Sequence, residues 1–353
     1  MPAGSRIRVV IVDDSLVARE MLTQILTSDP DIEVVGVASD GQEAIDAVAR
    51  LKPDLVTMDI HMPKMDGIEA VEHIMAYTPV PILVVSSSVH GEGVGRAFDA
   101  LGRGALEVVK KPEPRDWAEL ERIGSEIIRR VRILSRVRVI THIRGKLRPP
   151  EHLPEGPVHA PMPHVGGSAV VAIGSSTGGP SALMTVLGAL PGSFALPVVV
   201  AQHIADGFIP GLVAWLQTGC KLRVVPAEDG ARMEAGHVYF APTGLNLEVD
   251  GATLRFTAPE RGQLYIPSAD TLFRSVARTH GRHAIGVILT GMGADGAAGM
   301  KMMREAGAHT IAQDEETSTV YGMPRAAKEM GAASTVLPVG AIPAELVAMT
   351  SED

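Results

Sequence analysis

Five short apolar runs, each followed by an amphipathic stretch, dominate the first 134 residues of this chain. The runs are about five residues long and rich in Val and Ile, and they lie at 7–12, 33–37, 54–58, 81–85 and 105–109. The stretches after them have the periodicity of helices that bury one face. Strands that are apolar throughout are typical of parallel sheets covered by helices on both sides. The pattern therefore predicts an N-terminal α/β domain with a doubly wound, five-stranded parallel sheet.

The composition changes at 148–167, which is dense in Pro, Gly and His and has no apolar periodicity. This segment is predicted to be a linker. Beyond it, apolar runs and helical patterns resume, and they predict a second α/β domain with a mainly parallel sheet. The predicted organisation is a domain at 1–130, a basic helix end and linker at 131–167, and a domain at 168–353. The expected elements are strands at 169–173, 197–201, 284–289 and 309–312, helices at 180–190, 208–217, 297–306 and 324–330, and a hairpin over 246–256.

Charge and cysteine content exclude several classes of protein. The net charge of −9 argues against nucleic acid as the main partner. Residues 129–148 hold eight basic side chains and no acid, a run that can bind nucleic acid or anionic lipid. It is interpreted as a helix end and linker whose arginines stay solvated or contact an acidic neighbouring domain. The single cysteine, Cys220, is predicted to be buried and unreactive and fits a reducing compartment. No run reaches the ~18 apolar residues of a membrane span, so we expect a cytoplasmic protein that is not inserted in a membrane.

Polar residues follow four strands of the predicted N-terminal sheet. Asp13 and Asp14 come after the first strand, Asp59 after the third, Ser86 ends the fourth, and Lys111 follows the fifth. The carboxyl ends of parallel strands share one edge, where open α/β folds bind ligands. Crowded carboxylates repel one another, and Mg²⁺ relieves this repulsion. Such an ion would also neutralise a phosphoryl group arriving on one aspartate.

These residues lie in segments that resemble the receiver domains of two-component response regulators. The resemblance covers 6–130 and rests on VVIVDDS (9–15), MDIHMPKMDG (58–67), VVSS (84–87) and VKKP (109–112). It implies that a histidine kinase phosphorylates Asp59 in the presence of Mg²⁺, and that the peptide before Pro112 is cis. The implied roles are Asp13, Asp14 and Asp59 as metal ligands and Ser86 and Lys111 as contacts of the phosphoryl group.

One position departs from the receiver pattern. Many receivers carry an aromatic switch residue three positions before the lysine, and Val108 stands there in this chain. The aromatic switch therefore cannot be carried over, and another element must transmit phosphorylation.

A second constellation lies in the C-terminal half. Ser176 stands in Gly174-Ser175-Ser176-Thr177-Gly178, which matches G-x-S-x-G between a strand and a helix. His203 ends one predicted strand, and Asp295 follows another, so all three could meet at one sheet edge as a hydrolytic triad. The chain order Ser–His–Asp differs from the Ser–Asp–His order of the α/β-hydrolase fold, so the scaffold must be a different one.

The loop that carries Asp295 has a competing interpretation. Residues 291–296 match G-x-G-x-x-G between a strand and a helix, and Asp314 follows eighteen residues later. This spacing is close to that of a dinucleotide-binding fingerprint. The alternative function is therefore a non-catalytic response regulator whose output domain binds a receptor or a dinucleotide.

The C-terminal segments together resemble the catalytic domain of chemotaxis protein-glutamate methylesterases, over about 168–350. The segments are GSSTGGP (174–180), QHIADGF (202–208), PSADTLFRSVA (267–277), LTGMGADGAAGM (289–300) and IAQDEETSTVYGMPRAA (311–327). Ile204-Ala205 departs from the Met-Pro that is common in the family.

The resemblance implies a phosphorylation-activated serine hydrolase that has no cofactor in its esterase domain. Its expected substrate is the cytoplasmic domain of methylated chemoreceptors, from which it releases methanol, and glutamine deamidation is an expected second activity. In the family the receiver masks the esterase until phosphorylation. The implied site consists of Ser176 as nucleophile, His203 as base, Asp295 as orienting carboxylate, and Met292 and Thr177 as oxyanion donors.

Overall fold

The structure is a computed structural model and describes residues 6–87, 92–114, 116–139 and 169–350. The chain divides into two compact units, Met1–Leu147 and Arg148–Asp353. The predicted linker at 148–167 lies outside the described residues. The domain boundaries drawn from the sequence therefore stay a prediction.

The first unit is a five-stranded sheet with strand order β2-β1-β3-β4-β5, and every strand pair is parallel. This order is that of a doubly wound fold with a switch point between β1 and β3. The elements are β1 (Ile7–Val12), α1 (Leu16–Thr27), β2 (Ile32–Ala38), α2 (Gly41–Leu51), β3 (Leu55–Met58), α3 (Gly67–Tyr77), β4 (Ile82–Ser86), α4 (Glu92–Gly102), β5 (Glu107–Lys110) and α5 (Trp117–Leu134).

Side-chain caps begin most of these helices. Ser15, Asp40, Asp66 and Asp116 each accept a hydrogen bond from the backbone N–H three residues later. Such caps satisfy N–H groups that the first helical turn leaves without a partner. The caps fix the start of each helix directly after the loop that follows a strand. The residues of that loop are therefore held at the edge of the sheet.

The second unit is a seven-stranded sheet with order β14-β13-β12-β6-β7-β9-β8, all parallel, and a separate antiparallel hairpin of β10 and β11. The elements are β6 (Val170–Ser175), α6 (Gly179–Ala189), β7 (Val198–Gln202), α7 (Ile209–Gly219), β8 (Arg223–Pro226), β9 (His237–Phe240), β10 (Asn246–Asp250), β11 (Thr253–Thr257), α8 (Ala269–His280), a 3₁₀ turn (Gly281–His283), β12 (Ala284–Ile288), α9 (Ala297–Glu305), β13 (His309–Gln313), α10 (Met323–Glu329), β14 (Thr335–Leu337) and α11 (Ile342–Ala348).

The predicted fold class is confirmed in both units, and every element predicted from the sequence lies within two residues of its observed bounds. Sequence patterns missed β8, β9 and β14, which are four residues long or shorter, and the helices α8 and α11. A three- or four-residue strand is too short to display periodicity.

The strand order creates a switch point at β6. Strand β7 pairs with one side of β6, and β12 pairs with the other. The connections after β6 and β12 therefore leave the sheet in opposite directions, which opens a crevice at their carboxyl ends. Ser176 follows β6 and Asp295 follows β12, so both lie at this crevice.

Candidate functional site

The acidic residues of the first unit converge as predicted. Asp13 and Asp59 are buried and Asp14 is exposed. One carboxylate oxygen from each of the three lies within 4.8 Å of the others. The neighbouring strands β1 and β3 bring them together because both strands end at the same edge.

Lys111 is the cation that approaches this cluster. Its Nζ lies 2.8 Å from an oxygen of Asp59 and 2.8 Å from Oδ2 of Asp13. Only the contact with Asp59 has the geometry of a hydrogen bond, so Asp13 Oδ2 is buried without a hydrogen-bond partner among the described residues. Burial raises the pKa of Asp13, and the charge of Asp59 adds to this effect, while Lys111 opposes it. One lysine therefore does not fully compensate the buried carboxylates.

The cluster fits a divalent cation. Three carboxylates offer oxygen ligands within reach of one ion, and the buried Oδ2 of Asp13 accepts no hydrogen bond among the described residues, although Lys111 Nζ lies 2.8 Å away. Hard cations such as Mg²⁺ take ligands of this kind. An ion at this position would supply the positive charge that Lys111 alone does not.

The remaining receiver positions lie around the cluster. Ser86 ends β4 and is buried, and its carbonyl accepts a 2.9 Å hydrogen bond from the Lys111 N–H. Val108 is buried in β5, so an aliphatic side chain occupies the place where many receivers have an aromatic switch. The expectation of a cis peptide before Pro112 is wrong: the cis peptide among the described residues is Ile266–Pro267. The isomer of an X–Pro bond depends on local packing rather than on residue type alone.

Ser176 lies on the turn between β6 and α6. Its N–H donates to the Thr290 carbonyl at 3.0 Å, and its carbonyl accepts hydrogen bonds from Gly179 N at 2.8 Å and from Gln202 Nε2 at 2.9 Å. Gly178 has a φ of 75°, and an added Cβ would lie 2.4 Å from Thr319 Oγ1. Glycine is therefore required for this turn, which places the serine at the start of a helix.

His203 and Asp295 form a close pair. Their Nε2 and Oδ2 atoms lie 2.8 Å apart, and both side chains are at least nine-tenths buried. The backbone N–H of His203 donates to the Ser175 carbonyl at 2.9 Å, so the histidine is tied to the residue before the candidate nucleophile.

Asp295 is held by the N-terminus of α8. Its carboxylate accepts hydrogen bonds from Ser268 Oγ (2.8 Å), Ala269 N (2.7 Å) and Asp270 N (3.2 Å) in addition to the one from His203. Helix N-termini stabilise negative charge. Burial raises the pKa of Asp295, but the hydrogen bond and charge of His203, with the donors from Ala269 and Ser268, outweigh burial and lower the pKa below 3.8. The site is therefore organised around an ionised Asp295.

The pairing of His203 leaves one ring nitrogen available. Nδ1 is buried and makes no hydrogen bond within the described part of the chain, so the hydrogen bond between Ser176 and His203 that a triad requires is not formed here. Catalytic hydrogen bonds in ligand-free enzymes are often long and tighten when substrate binds. The arrangement supplies a nucleophile candidate, a base candidate and an orienting carboxylate around one crevice.

The loop 289–296 packs against the serine. An added Cβ on Gly291 would lie 2.7 Å from Ser176 Cβ, and Thr290 Oγ1 donates to the Thr177 carbonyl at 2.9 Å. Met292 and Thr177, the residues predicted to supply oxyanion donors, therefore belong to the two segments that border Ser176. Their roles stay a prediction.

The glycines of this loop contact the protein's own side chains. Gly291 lies against Ser176, Gly293 against Tyr265, and Gly296 against Ala269 and Phe273. In a dinucleotide site such glycines let the backbone approach a pyrophosphate. Close internal packing explains the pattern here without a dinucleotide.

Sequence reasoning missed three contributors to the site. Gln202 is buried and donates to the carbonyls of Ser176 and His203. Ser268 donates to Asp295, and the ring of Tyr265 stacks on His203. Gln202 and Ser268 lie within the segments that carry the resemblance, and Tyr265 precedes one of them by two residues. The resemblance of those segments to the family could therefore have pointed to these residues, whereas the spacing of residues alone indicated no role for any of the three.

Models of known protein families match both units. The model described as "CheB methylesterase" matches residues 171–346, and the model described as "Response regulator receiver domain" matches residues 9–120. The two matches follow the two units in chain order.

Curated relatives match over nearly the whole chain. The protein-glutamate methylesterase/protein-glutamine glutaminase 1 of Syntrophus aciditrophicus is 46% identical, with 94% of this chain and 95% of the relative covered. The corresponding protein 4 of Geobacter metallireducens is 43% identical, with 98% and 99% covered. Among solved structures, the Thermotoga maritima CheB methylesterase catalytic domain is 38% identical and covers 52% of this chain and 98% of its own, with a TM-score of 0.49. Within the described residues, no helix has both the length and the apolar character needed to cross a membrane.

Proposed function

We propose, because this chain belongs to the family of CheB protein-glutamate methylesterases with an N-terminal receiver domain, that Ser176, His203 and Asp295 form its catalytic triad. The chain is a carboxylic ester hydrolase of this family, and its curated relatives are named for glutaminase activity as well. The observation that carries the proposal is the buried His203–Asp295 pair, which is tied by backbone hydrogen bonds to the turn of Ser176.

Acylation begins when His203 Nδ1 takes the hydroxyl proton of Ser176 and Oγ attacks the ester carbonyl of a methylated glutamate. Negative charge develops on the carbonyl oxygen, where the N–H groups of Met292 and Thr177 would stabilise it. The tetrahedral intermediate collapses as the C–O bond to the methoxy group breaks, and His203 returns its proton to release methanol. Asp295 stabilises the imidazolium between these two steps.

Deacylation repeats the same proton transfers with water. His203 removes a proton from water, hydroxide attacks the acyl-enzyme, and the proton passes to Ser176 Oγ as free glutamate leaves. A side-chain amide follows the same route with ammonia as the leaving group. Glutamine deamidation therefore needs no additional residue.

The receiver unit would regulate this reaction through Asp59. A histidine kinase is the proposed phosphodonor, and Asp13, Asp14 and Asp59 would hold the Mg²⁺ that neutralises charge during phosphoryl transfer. Ser86 and Lys111 would contact the phosphoryl oxygens, since Lys111 already hydrogen-bonds Asp59. The proposed substrate is the cytoplasmic domain of methylated chemoreceptors, which assigns the protein to the cytoplasm.

Methanol release from methylated receptor, with and without a small phosphodonor, tests the proposal. We expect Ser176→Ala to abolish release and Asp59→Asn to keep the basal rate but lose stimulation by the phosphodonor. Ser181→Ala, a substitution on the half-buried part of α6, is the matched control and should behave like wild type. Release by Ser176→Ala at the wild-type rate would disprove the nucleophile assignment, and stimulation of Asp59→Asn would place the phosphoacceptor elsewhere.

A further inference from the structure

Tyr265 lies flat against the imidazole of His203. The ring centroids are 4.7 Å apart and the planes differ by 9°. Tyr265 belongs to the segment between the β10–β11 hairpin and α8, and its side chain is half-buried. Neither proton transfer nor the hydrogen bond to Asp295 accounts for this contact.

One hydrogen bond does not fix the orientation of an imidazole. His203 is bonded through Nε2 to Asp295, and rotation about the axis of that bond would preserve the bond while it moves Nδ1. Nδ1 must face Ser176 for the proposed proton transfer. A flat ring against one imidazole face restricts this rotation, because the tyrosine ring blocks a tilt of His203 toward it.

Tyr265 is itself held by the loop that carries Asp295. Gly293 has a φ of 86°, and an added Cβ there would lie 2.4 Å from Tyr265 Oη and 3.2 Å from Cζ. The tyrosine thus packs against backbone two residues before Asp295. Three residues after Tyr265, Ser268 donates to Asp295. The segment 265–268 therefore contacts both members of the His203–Asp295 pair.

We propose that Tyr265 is a positioning residue that holds the plane of His203 so that Nδ1 faces Ser176. The proposal rests on the triad proposed above and deepens it. The face of an aromatic ring also attracts a cation, so Tyr265 stabilises the imidazolium that exists between proton removal and proton return. Both effects act on the chemical step, so the loss of the ring lowers kcat more than it changes KM.

The test compares Tyr265→Phe, which keeps the ring, with Tyr265→Leu, which removes it. Methanol release is measured against the concentration of methylated receptor, with the phosphodonor present and with the full-length chain. Removal of one ring from an aromatic pair weakens the interaction by up to about tenfold. We expect Tyr265→Leu to lose about tenfold in kcat with KM within about twofold, and Tyr265→Phe to stay within about threefold of wild type. Leu264→Ala, at a side chain that is 89% exposed in the same segment, is the control and should not change kcat.

The pH profile supplies a readout that a purely structural role would not move. If the ring stabilises the imidazolium, the acid limb of kcat/KM in Tyr265→Leu moves to lower pH, while that of Tyr265→Phe stays in place. Equal losses in both variants would assign the effect to the hydroxyl and overturn the proposal. A loss confined to KM would make Tyr265 a substrate contact, and wild-type kcat in Tyr265→Leu would leave the stack without a role.

Two further measurements separate the possible failures. Thermal melting shows whether Tyr265→Leu folds. If it does not fold, Tyr265→Met replaces it with the same expected results, because methionine keeps the bulk of the side chain without an aromatic face. Activity in Ser176→Ala would refute the triad itself. Inactive Ser176→Ala together with fully active Tyr265→Leu would refute only the positioning role.

Discussion

Replacement of Asp295 by asparagine is the sharpest perturbation of the proposed triad, because the side chain keeps its shape and loses its charge. The carboxylate accepts hydrogen bonds from His203, Ser268 Oγ, Ala269 N and Asp270 N. An amide oxygen at the Oδ2 position can still accept from His203 and Ala269. The amide NH₂ then takes the Oδ1 position, where Ser268 Oγ can rotate to accept and the long 3.2 Å bond from Asp270 is lost.

The magnitude follows from the loss of charge beside a buried imidazolium. Removal of one partner of a buried ion pair costs about 3–5 kcal/mol, because the other charge is left uncompensated. In the proposed mechanism His203 carries that charge after it has taken the proton of Ser176, so the cost would fall mainly on the transition state. Each 1.36 kcal/mol is tenfold in rate, and we therefore expect kcat to fall by about 10²- to 10⁴-fold with little change in KM.

The assay is methanol release from methylated receptor by Asp295→Asn under saturating phosphodonor. Asp250→Asn is the matched control, since Asp250 is exposed in the β10–β11 hairpin, where asparagine is equally suited to the turn. A decrease of less than tenfold in Asp295→Asn would refute the assignment of Asp295 as the orienting carboxylate.

The same variant has a defined effect on stability. Burial raises the pKa of Asp295, but His203 and the donors at the start of α8 reverse this effect, so the folded-state pKa lies below the ordinary value for an aspartate. A lowered pKa stabilises the fold above the unfolded pKa, and the contribution is lost as the pH falls below that value. Urea unfolding should therefore show a difference between wild type and Asp295→Asn that is constant at neutral pH and shrinks below about pH 4. A difference that grows on acidification would contradict the lowered pKa.

Three substitutions test the receiver unit. Asp13→Asn removes a buried carboxylate that repels Asp59, so it should raise the melting temperature in the absence of Mg²⁺. It should also abolish the stabilisation by Mg²⁺, which in wild type would be about 2.7 kcal/mol at a hundredfold excess over Kd. Full stabilisation of the variant by Mg²⁺ would exclude Asp13 as a ligand. Gly67→Ala would place a Cβ 2.0 Å from the Asp59 carbonyl and should destabilise the unit by about 3 kcal/mol in urea. Gly95→Ala, in α4 with nothing within 4 Å of the added Cβ, should instead stabilise it by roughly 0.5–1 kcal/mol.

The sequence predicted the location of a site residue wherever that residue follows the end of a strand. Asp13, Asp59, Ser176, His203 and Asp295 each follow a Val/Ile-rich strand, and the geometry of parallel sheets brings such residues to one edge. The residues that contact them, Ser268 and Tyr265, were not predictable in this way. Ser268 caps α8, a helix that sequence patterns missed, and Tyr265 lies in a connection without periodicity. Their proximity to Asp295 and His203 depends on how α8 packs against the sheet, which no local pattern encodes.

The two sites each contain a buried aspartate, and the pKa values of these two aspartates are shifted in opposite directions. Asp13 and Asp295 both follow a parallel strand and both are buried, yet the pKa of Asp13 is raised and that of Asp295 is lowered. The difference lies in the donors, because Asp295 accepts hydrogen bonds from His203, Ser268 and two backbone N–H groups. Asp13 has one oxygen without a hydrogen-bond partner among the described residues and a second carboxylate beside it.

These environments favour different chemistry. A carboxylate that is saturated with donors and already ionised is suited to hold and charge-balance a histidine. A carboxylate whose charge is incompletely compensated instead favours a cation, and a cation bound there would make the neighbouring Asp59 able to accept a phosphoryl group, as proposed above. The number of hydrogen-bond donors around the aspartate, rather than the aspartate itself, therefore distinguishes the two sheet edges. One edge is suited to ester hydrolysis and the other to phosphorylation.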